Sequence, residues 1–121
     1  MGTYQQLKDI EMYVMARKLA DIVWKETVAW DYFAKRTVGE QLMRAVDSIG
    51  ANIAESYGRH HTNDITRFLY YARGSLYESQ DWISKAVQRN LFAEPTGREL
   101  LNTIQILAPK LNAYISSKYQ Q

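Results

Sequence analysis

Residues 42–59 read LMRAVDSIGANIAESYGR, and apolar side chains recur in this stretch every three or four residues. That spacing places them on one face of an α-helix, as expected for a helix that covers a core. Thr37 and Glu40 form a T-x-x-E capping box, which predicts that the helix starts there. Gly58 predicts its end in a left-handed conformation. The apolar face comprises Leu42, Ala45, Val46, Ile49, Ile53 and Ala54.

Two further helices are predicted on either side of this stretch. The first runs from about Asp9 to Val28, where apolar residues again follow the helical period. The next begins at a cap on Thr62 or Asn63 and ends near Asn90. Its apolar face includes Ile65, Phe68, Leu69, Ala72, Leu76, Ile83, Ala86 and Val87.

A last helix is predicted from a second T-x-x-E box at Thr96 and Glu99. Pro95 suits the entry of this helix, but Pro109 falls inside its apolar pattern. Because an internal proline lacks a backbone N–H and crowds the preceding turn, we expect either a kink near Gln105 or an early end. Leu100, Ile104, Leu107, Leu111, Tyr114 and Ile115 form the predicted apolar face.

Short connections between four amphipathic segments favour one topology. Consecutive helices joined by short loops must lie antiparallel, so the prediction is an all-α, up-down-up-down four-helix bundle. The 121 residues contain no repeat, low-complexity run or linker that would divide them. We therefore expect residues 1–121 to form a single domain with one core.

The composition excludes several classes of chemistry. The chain has no cysteine, so thiolate catalysis, disulfides and cysteine-based metal sites are excluded. It contains neither a G-x-S-x-G motif nor a Gly-rich phosphate loop, and no Glu-x-x-His pair that would hold a metal inside a bundle. An alternative is a metal-dependent enzyme that uses Glu55, His60, His61 and Asp64, and it rests on sequence proximity alone. We predict a protein without enzymatic activity, metal or cofactor.

Neither the hydropathy of the chain nor its N-terminal sequence indicates a membrane or secreted protein. No window approaches the roughly 20 consecutive apolar residues of a membrane-spanning helix, and the N-terminus lacks the pattern of a secretory signal. A cytoplasmic protein with no membrane partner is the expectation.

Positive charge is concentrated in the middle of the chain. Between Lys35 and Arg73 six basic side chains face four acidic ones, so this section carries the whole formal net charge of +2. In a symmetric oligomer each copy would repeat such a patch and build a basic surface for phosphates. The predicted nucleic-acid-binding residues are Arg59, His60, Arg67 and Arg73; the alternative is an ordinary solvated helix end.

The first and third predicted helices carry more aromatic and apolar residues than a single core-facing side of a helix can hold. Ile22-Val23-Trp24 and Phe68-Leu69-Tyr70-Tyr71 place consecutive apolar residues in different directions around the helix. Apolar surface that is not core tends to become interface, so Trp24, Tyr70 and Tyr71 are predicted to lie between subunits of a homo-oligomer. The alternative is ordinary partial exposure of tyrosine and tryptophan.

The segment at 42–59, together with TRFLYYARGSLYESQDWISKA at 66–86, resembles the four-helix bundle proteins encoded in intervening sequences of bacterial 23S ribosomal RNA. It is also similar to the related accessory proteins of diversity-generating retroelements. The match includes Ser48, Ile49, Ala51, Asn52, Ile53, Ala54 and Glu55, and it extends from Ile10 to the last helix. Gly50 stands where the family usually has proline, and Ser56 where it usually has glycine.

This resemblance implies a small bundle that assembles into a ring, with homopentamers known in the family, and it implies no catalytic activity. In the retroelement relatives a basic surface binds nucleic acid and a reverse transcriptase. The leading hypothesis is a homo-oligomeric scaffold that binds structured RNA or DNA. The competing hypothesis is a protein–protein adaptor with no nucleic-acid role.

Overall fold

A computed structural model describes residues 10–119 and consists of four helices. We number them α1 (Glu11–Thr27), α2, α3 (Thr62–Gln88) and α4 (Glu94–Tyr119). Helix α2 has three parts, which are an α-helical turn (Tyr32–Ala34), a π-helical segment (Lys35–Gly39) and a long α-helix (Glu40–Tyr57). The predicted all-α, antiparallel up-down-up-down four-helix bundle is confirmed.

Each helix packs against two others, so that α1 and α3 lie diagonally opposite, as do α2 and α4. Most residues of the predicted apolar faces meet in one cluster along the bundle axis, but Phe68 and Ala54, which were predicted to belong to it, lie outside it. Burying a large aliphatic side chain contributes about 1.5–3 kcal/mol, so these residues supply most of the driving force for folding. The largest fully buried side chains are Leu19, Val23, Leu42, Ile49, Ile53, Leu69, Leu76, Ile83, Leu100, Ile104, Leu107 and Leu111.

Helix α2 begins earlier than the capping box predicts. The side chain of Asp31 accepts a hydrogen bond from the backbone N–H of Ala34 at 2.9 Å, and Asp31 is the N-cap. Thr37 lies inside the π-helical segment, where its hydroxyl donates to the carbonyl of Phe33 at 2.7 Å. Glu40 forms an ion pair with Arg36 and does not cap the helix. The predicted start at Thr37 was wrong, because Asp31 already satisfies the first turn.

Replacing Asp31 by alanine is expected to lower the free energy of unfolding by about 0.5–2 kcal/mol, the usual cost of losing an N-cap. Asparagine should retain most of the stability, since its side-chain oxygen accepts the same bond. Urea denaturation followed by circular dichroism measures both. Equal losses for alanine and asparagine would show that the cap bond is not the cause.

The ends of α2 and the start of α3 also differ from the predictions. Gly58 has φ −83° and ψ −3°, and its N–H donates to the carbonyls of Ala54 and Glu55. The predicted left-handed end at Gly58 was therefore wrong, because the right-handed turn simply continues. Helix α3 follows an extended residue, His61, and has no side-chain cap, so Thr62 is its first helical residue rather than its cap.

Helix α4 starts at Glu94, so the predicted cap at Thr96 was wrong and Thr96 lies within the first turn. Pro95 occupies that turn too, where a missing N–H costs nothing because first-turn N–H groups have no partner within the helix. The helix then continues through Pro109 to Tyr119, so the alternative of an early end was wrong. The kink near Gln105 stays a prediction.

Candidate nucleic-acid interface

Two of the predicted cations meet where α2 ends and α3 begins. The guanidinium carbon of Arg59 lies 4.6 Å from the centre of the Phe68 ring, and that of Arg67 lies 5.1 Å from the same centre. The Phe68 ring contacts Tyr71 edge-on, with ring centres 5.5 Å apart. We call Arg59, Arg67, Phe68 and Tyr71 the Phe68 cluster. Its aromatic ring orients two guanidinium groups that lie eight residues apart in sequence.

Both cations of the Phe68 cluster also have acidic partners. Arg59 contacts Glu55 at 2.6 Å, and Arg67 contacts Asp64 at 3.1 Å. All four side chains are well exposed, and exposed ion pairs of this kind contribute only about 0–1 kcal/mol. A phosphate could therefore compete for either guanidinium, although the local net charge of the cluster is low.

His60 and His61 lie in the connection between α2 and α3, beside the Phe68 cluster in sequence. Both are exposed, and their rings meet edge-on with centres 5.1 Å apart. Within residues 10–119, no three histidine, aspartate or glutamate side chains come together in a group that could hold a metal ion. Both acidic residues of the metal-enzyme alternative form ion pairs, Glu55 with Arg59 and Asp64 with Arg67.

Arg73 belongs to a different surface. Its guanidinium donates to Oδ1 of Asn112 on α4 at 3.2 Å and lies 4.7 Å from the centre of the Tyr70 ring. The hydroxyls of Tyr70 and Tyr119 are 3.3 Å apart, which continues the same surface along α4. With Tyr77, one heptad after Tyr70, these residues define what we call the α3/α4 face. The structure thus separates Arg73 from Arg59 and Arg67, and Tyr70 from Tyr71.

Trp24 lies on the other side of the bundle, between α1 and α2. It is exposed and lines a groove with Val28 and Met43. A second groove of about 320 Å³ on the same pair of helices is lined by Asp21 and Asp47. Partial burial of Asp47, together with repulsion from the Asp21 carboxylate, raises the pKa of Asp47 above its ordinary value. We call the surface formed by the two grooves the α1/α2 face.

One cavity was not anticipated from the sequence. It has a volume of about 640 Å³ and lies where the π-helical segment of α2 meets the end of α3. Its wall includes Phe33 and Trp82, with Arg36 and Arg89 nearby. Phe33 interrupts the helical pattern, which is a weak signal, and nothing in the sequence pairs it with Trp82.

No helix of residues 10–119 combines the length and the apolar character that crossing a bilayer requires.

Comparisons with known proteins agree with the resemblance of the central helices. The model of the family described as 23S rRNA-intervening sequence protein matches residues 8–113. A similar fold occurs in the crystal structure of a protein with unknown function from the S23 ribosomal protein family of Bacteroides thetaiotaomicron. The two chains are 20% identical with a TM-score of 0.68, over 91% of this chain and 98% of the other. No curated protein matches the sequence significantly.

Proposed function

This chain belongs to the family of 23S rRNA-intervening sequence proteins, and from that premise we propose that it is a non-enzymatic, homo-oligomeric scaffold that binds structured RNA or DNA. The binding surface is the Phe68 cluster with the neighbouring His60. We also propose a cytoplasmic location, which the ribosomal RNA origin of the family name favours. A pentameric ring and a reverse-transcriptase partner are predictions from the resemblance alone.

The observation that carries this proposal is the convergence of Arg59 and Arg67 on one aromatic ring. Stacking restrains each guanidinium, so less side-chain entropy is lost when its N–H groups bind a phosphate. Exposed guanidinium planes also stack against unpaired bases, which is common in RNA recognition. A ring of subunits would repeat the cluster and multiply a weak individual contact.

The ion pairs that Arg59 and Arg67 form with Glu55 and Asp64 limit the affinity for nucleic acid that we expect. Each subunit offers about two phosphate contacts, which gives a slope of about −2 for log K against log salt per engaged subunit on duplex DNA. Binding should therefore be moderate and dependent on assembly. A strongly basic protein would show a steeper dependence from a single subunit.

Replacing both Arg59 and Arg67 by glutamine is expected to weaken binding to a labelled 23S rRNA hairpin at least tenfold, which corresponds to about 1.4 kcal/mol. Fluorescence anisotropy at low salt measures the affinity. The control is Arg98→Gln, because Arg98 forms an exposed (i,i+4) pair with Glu94, as Arg59 does with Glu55, but at the opposite end of the bundle. The control should bind like the unmodified protein.

Two outcomes would overturn nucleic-acid binding at this surface. The unmodified protein could show no affinity for the hairpin or for duplex DNA of similar length at low salt. Alternatively, the Arg59 and Arg67 double variant could bind as tightly as the Arg98 control.

The second candidate is the protein–protein adaptor, and the aromatic α3/α4 face favours it. Tyr70, Tyr77 and Tyr119 are all exposed there, and tyrosine is enriched where proteins meet. A stable oligomer that binds no nucleic acid would support the adaptor over the scaffold for nucleic acid.

A further inference from the structure

Two surfaces of the bundle carry exposed apolar side chains that nothing within residues 10–119 covers. On the α1/α2 face Trp24 is 59% exposed and Val28 47% exposed. On the α3/α4 face Tyr77 is 50% exposed and Tyr119 58% exposed, with Tyr70 between α3 and α4. Exposed aromatic side chains grouped on one side of a protein are typical of interfaces.

These two faces lie on opposite sides of the bundle. Helix α1 packs against α2 and α4, and α3 packs against α2 and α4, so the α1/α2 pair and the α3/α4 pair form the two outer layers. One subunit therefore cannot bring its own two faces together. A contact between different faces of two copies is heterologous, and it closes into a ring when the rotation between subunits allows it.

The two faces carry side chains of different size. The groove between α1 and α2 is lined by several small residues, beside the larger Tyr13 and Val46; the small ones are Ala16, Ala20, Gly50, Ala51 and Ala54. The α3/α4 face presents tyrosines instead. Gly74 follows Tyr70 by one turn of α3, and within residues 10–119 an added Cβ there would meet no atom of another part of the fold within 4 Å. An exposed glycine inside a long helix lowers stability relative to alanine, and close approach of a neighbour would offset that loss.

The α1/α2 face carries acidic and basic side chains in equal number, so the charge complementarity is local to Asp21 and Asp47. Asp21 and Asp47 repel each other across the α1/α2 groove, and Arg17 at its edge is directed to the Tyr13 hydroxyl, 3.5 Å away. Arg73 on the α3/α4 face has no acidic partner within residues 10–119 and hydrogen-bonds only the neutral Asn112. A guanidinium placed between the two carboxylates would relieve their repulsion.

We propose that copies of this chain join head to tail, with the α3/α4 face of one subunit seated in the α1/α2 groove of the next and Arg73 beside Asp21 and Asp47. This inference rests on the proposed homo-oligomer and adds which surfaces form it. Each subunit then uses both faces once.

Charge reversal tests the pairing. Arg73→Asp and Asp47→Arg should each raise the concentration at which the assembly dissociates at least tenfold, as measured by sedimentation velocity. The double variant Asp47→Arg with Arg73→Asp restores the complementary pair and should recover the assembly size of the unmodified protein. Lys18→Glu is the control, because Lys18 is exposed, lies on neither face and forms no ion pair within residues 10–119. Circular dichroism verifies that each variant folds.

The outcomes separate this inference from the proposed function. If the unmodified protein is an oligomer that both single reversals leave intact, the head-to-tail contact is wrong while the scaffold survives. Loss of assembly in Arg73→Asp without any effect of Asp47→Arg would indicate a symmetric contact between two α3/α4 faces and would also overturn it. Failure of the double variant to reassemble would also overturn the head-to-tail contact. A strictly monomeric unmodified protein at micromolar concentration would overturn both proposals.

A second variant tests the shape of the contact independently of charge. Gly74→Gln adds a side chain where this chain has open space, so the subunit should fold normally and gain helix propensity. The same side chain should hold a docked neighbour away and weaken assembly at least tenfold. Assembly unaffected by Gly74→Gln would contradict a close approach at this position.

Discussion

Replacing Phe92 by alanine is expected to lower the free energy of unfolding by about 3–5 kcal/mol, the usual cost of deleting a buried aromatic side chain. Phe92 lies in the connection between α3 and α4 and is only 4% exposed. Its ring meets Trp30 edge-on, with centres 5.2 Å apart, so it joins the two connections at one end of the bundle. Alanine would leave a cavity. It would also remove the contact between the two aromatic rings, which stabilises the fold by about 0.5–1.5 kcal/mol beyond the effect of the buried area.

Phe33→Ala is the matched control for this experiment. Phe33 also lies close to a helix start, but it is 77% exposed, so its removal should change stability by no more than about 0.5 kcal/mol. Denaturation with guanidinium chloride measures both variants. Similar losses at Phe33 and Phe92 would contradict the burial that the structure assigns to them.

Gly97→Ala should destabilise the fold by about 1–3 kcal/mol, although alanine is the better helix former. Gly97 is buried in the first turn of α4, and a methyl group there would lie 2.5 Å from Cγ2 of Val87 on α3. Valine is β-branched and restricted at χ1, so it cannot rotate away cheaply. The two helices would have to move apart.

Two further variants make this expectation specific. Val87→Ala removes the clashing atom, so the cost of Gly97→Ala should be smaller in that background, and a double-mutant cycle gives the difference. Gly50→Ala is the control at another buried helical glycine, because its Cβ would meet Tyr13 at 3.7 Å and Ala16 at 3.8 Å, which are ordinary contacts. It should stabilise the protein by about 0.5–1 kcal/mol. Destabilisation at both glycines to the same degree would show that the Val87 contact is not responsible.

The sequence predicted the core correctly because the helical period is a local property. Leu42, Val46, Ile49 and Ile53 share one face of any helix that contains them, and all four are buried. Helix boundaries were less predictable. Thr37 and Thr96 both carry the capping-box spacing, yet Asp31 and the segment at Glu94 start the helices earlier. Several residues can cap a helix, and packing of the whole segment decides which one does.

The candidate site was predictable only in part. Concentration of positive charge near Arg59 and Arg67 could be seen in the sequence, but their acidic partners and their common platform on Phe68 could not. Arg73 is six residues from Arg67 on the same helix, and that spacing turns it toward α4. Grouping these cations by sequence proximity therefore combined two surfaces.

What the sequence by itself determined is the four-helix bundle and the set of residues that fills it, since apolar periodicity and short connections leave few other arrangements. Tertiary structure alone decided which surplus aromatic residues are covered. Phe92 is buried against Trp30, whereas Trp24 and Tyr119 remain exposed on opposite faces, although all of them lie near helix ends or outside a core stripe. The reason is physical, because burial depends on which helices lie beside a side chain, and that neighbourhood exists only after the chain has folded.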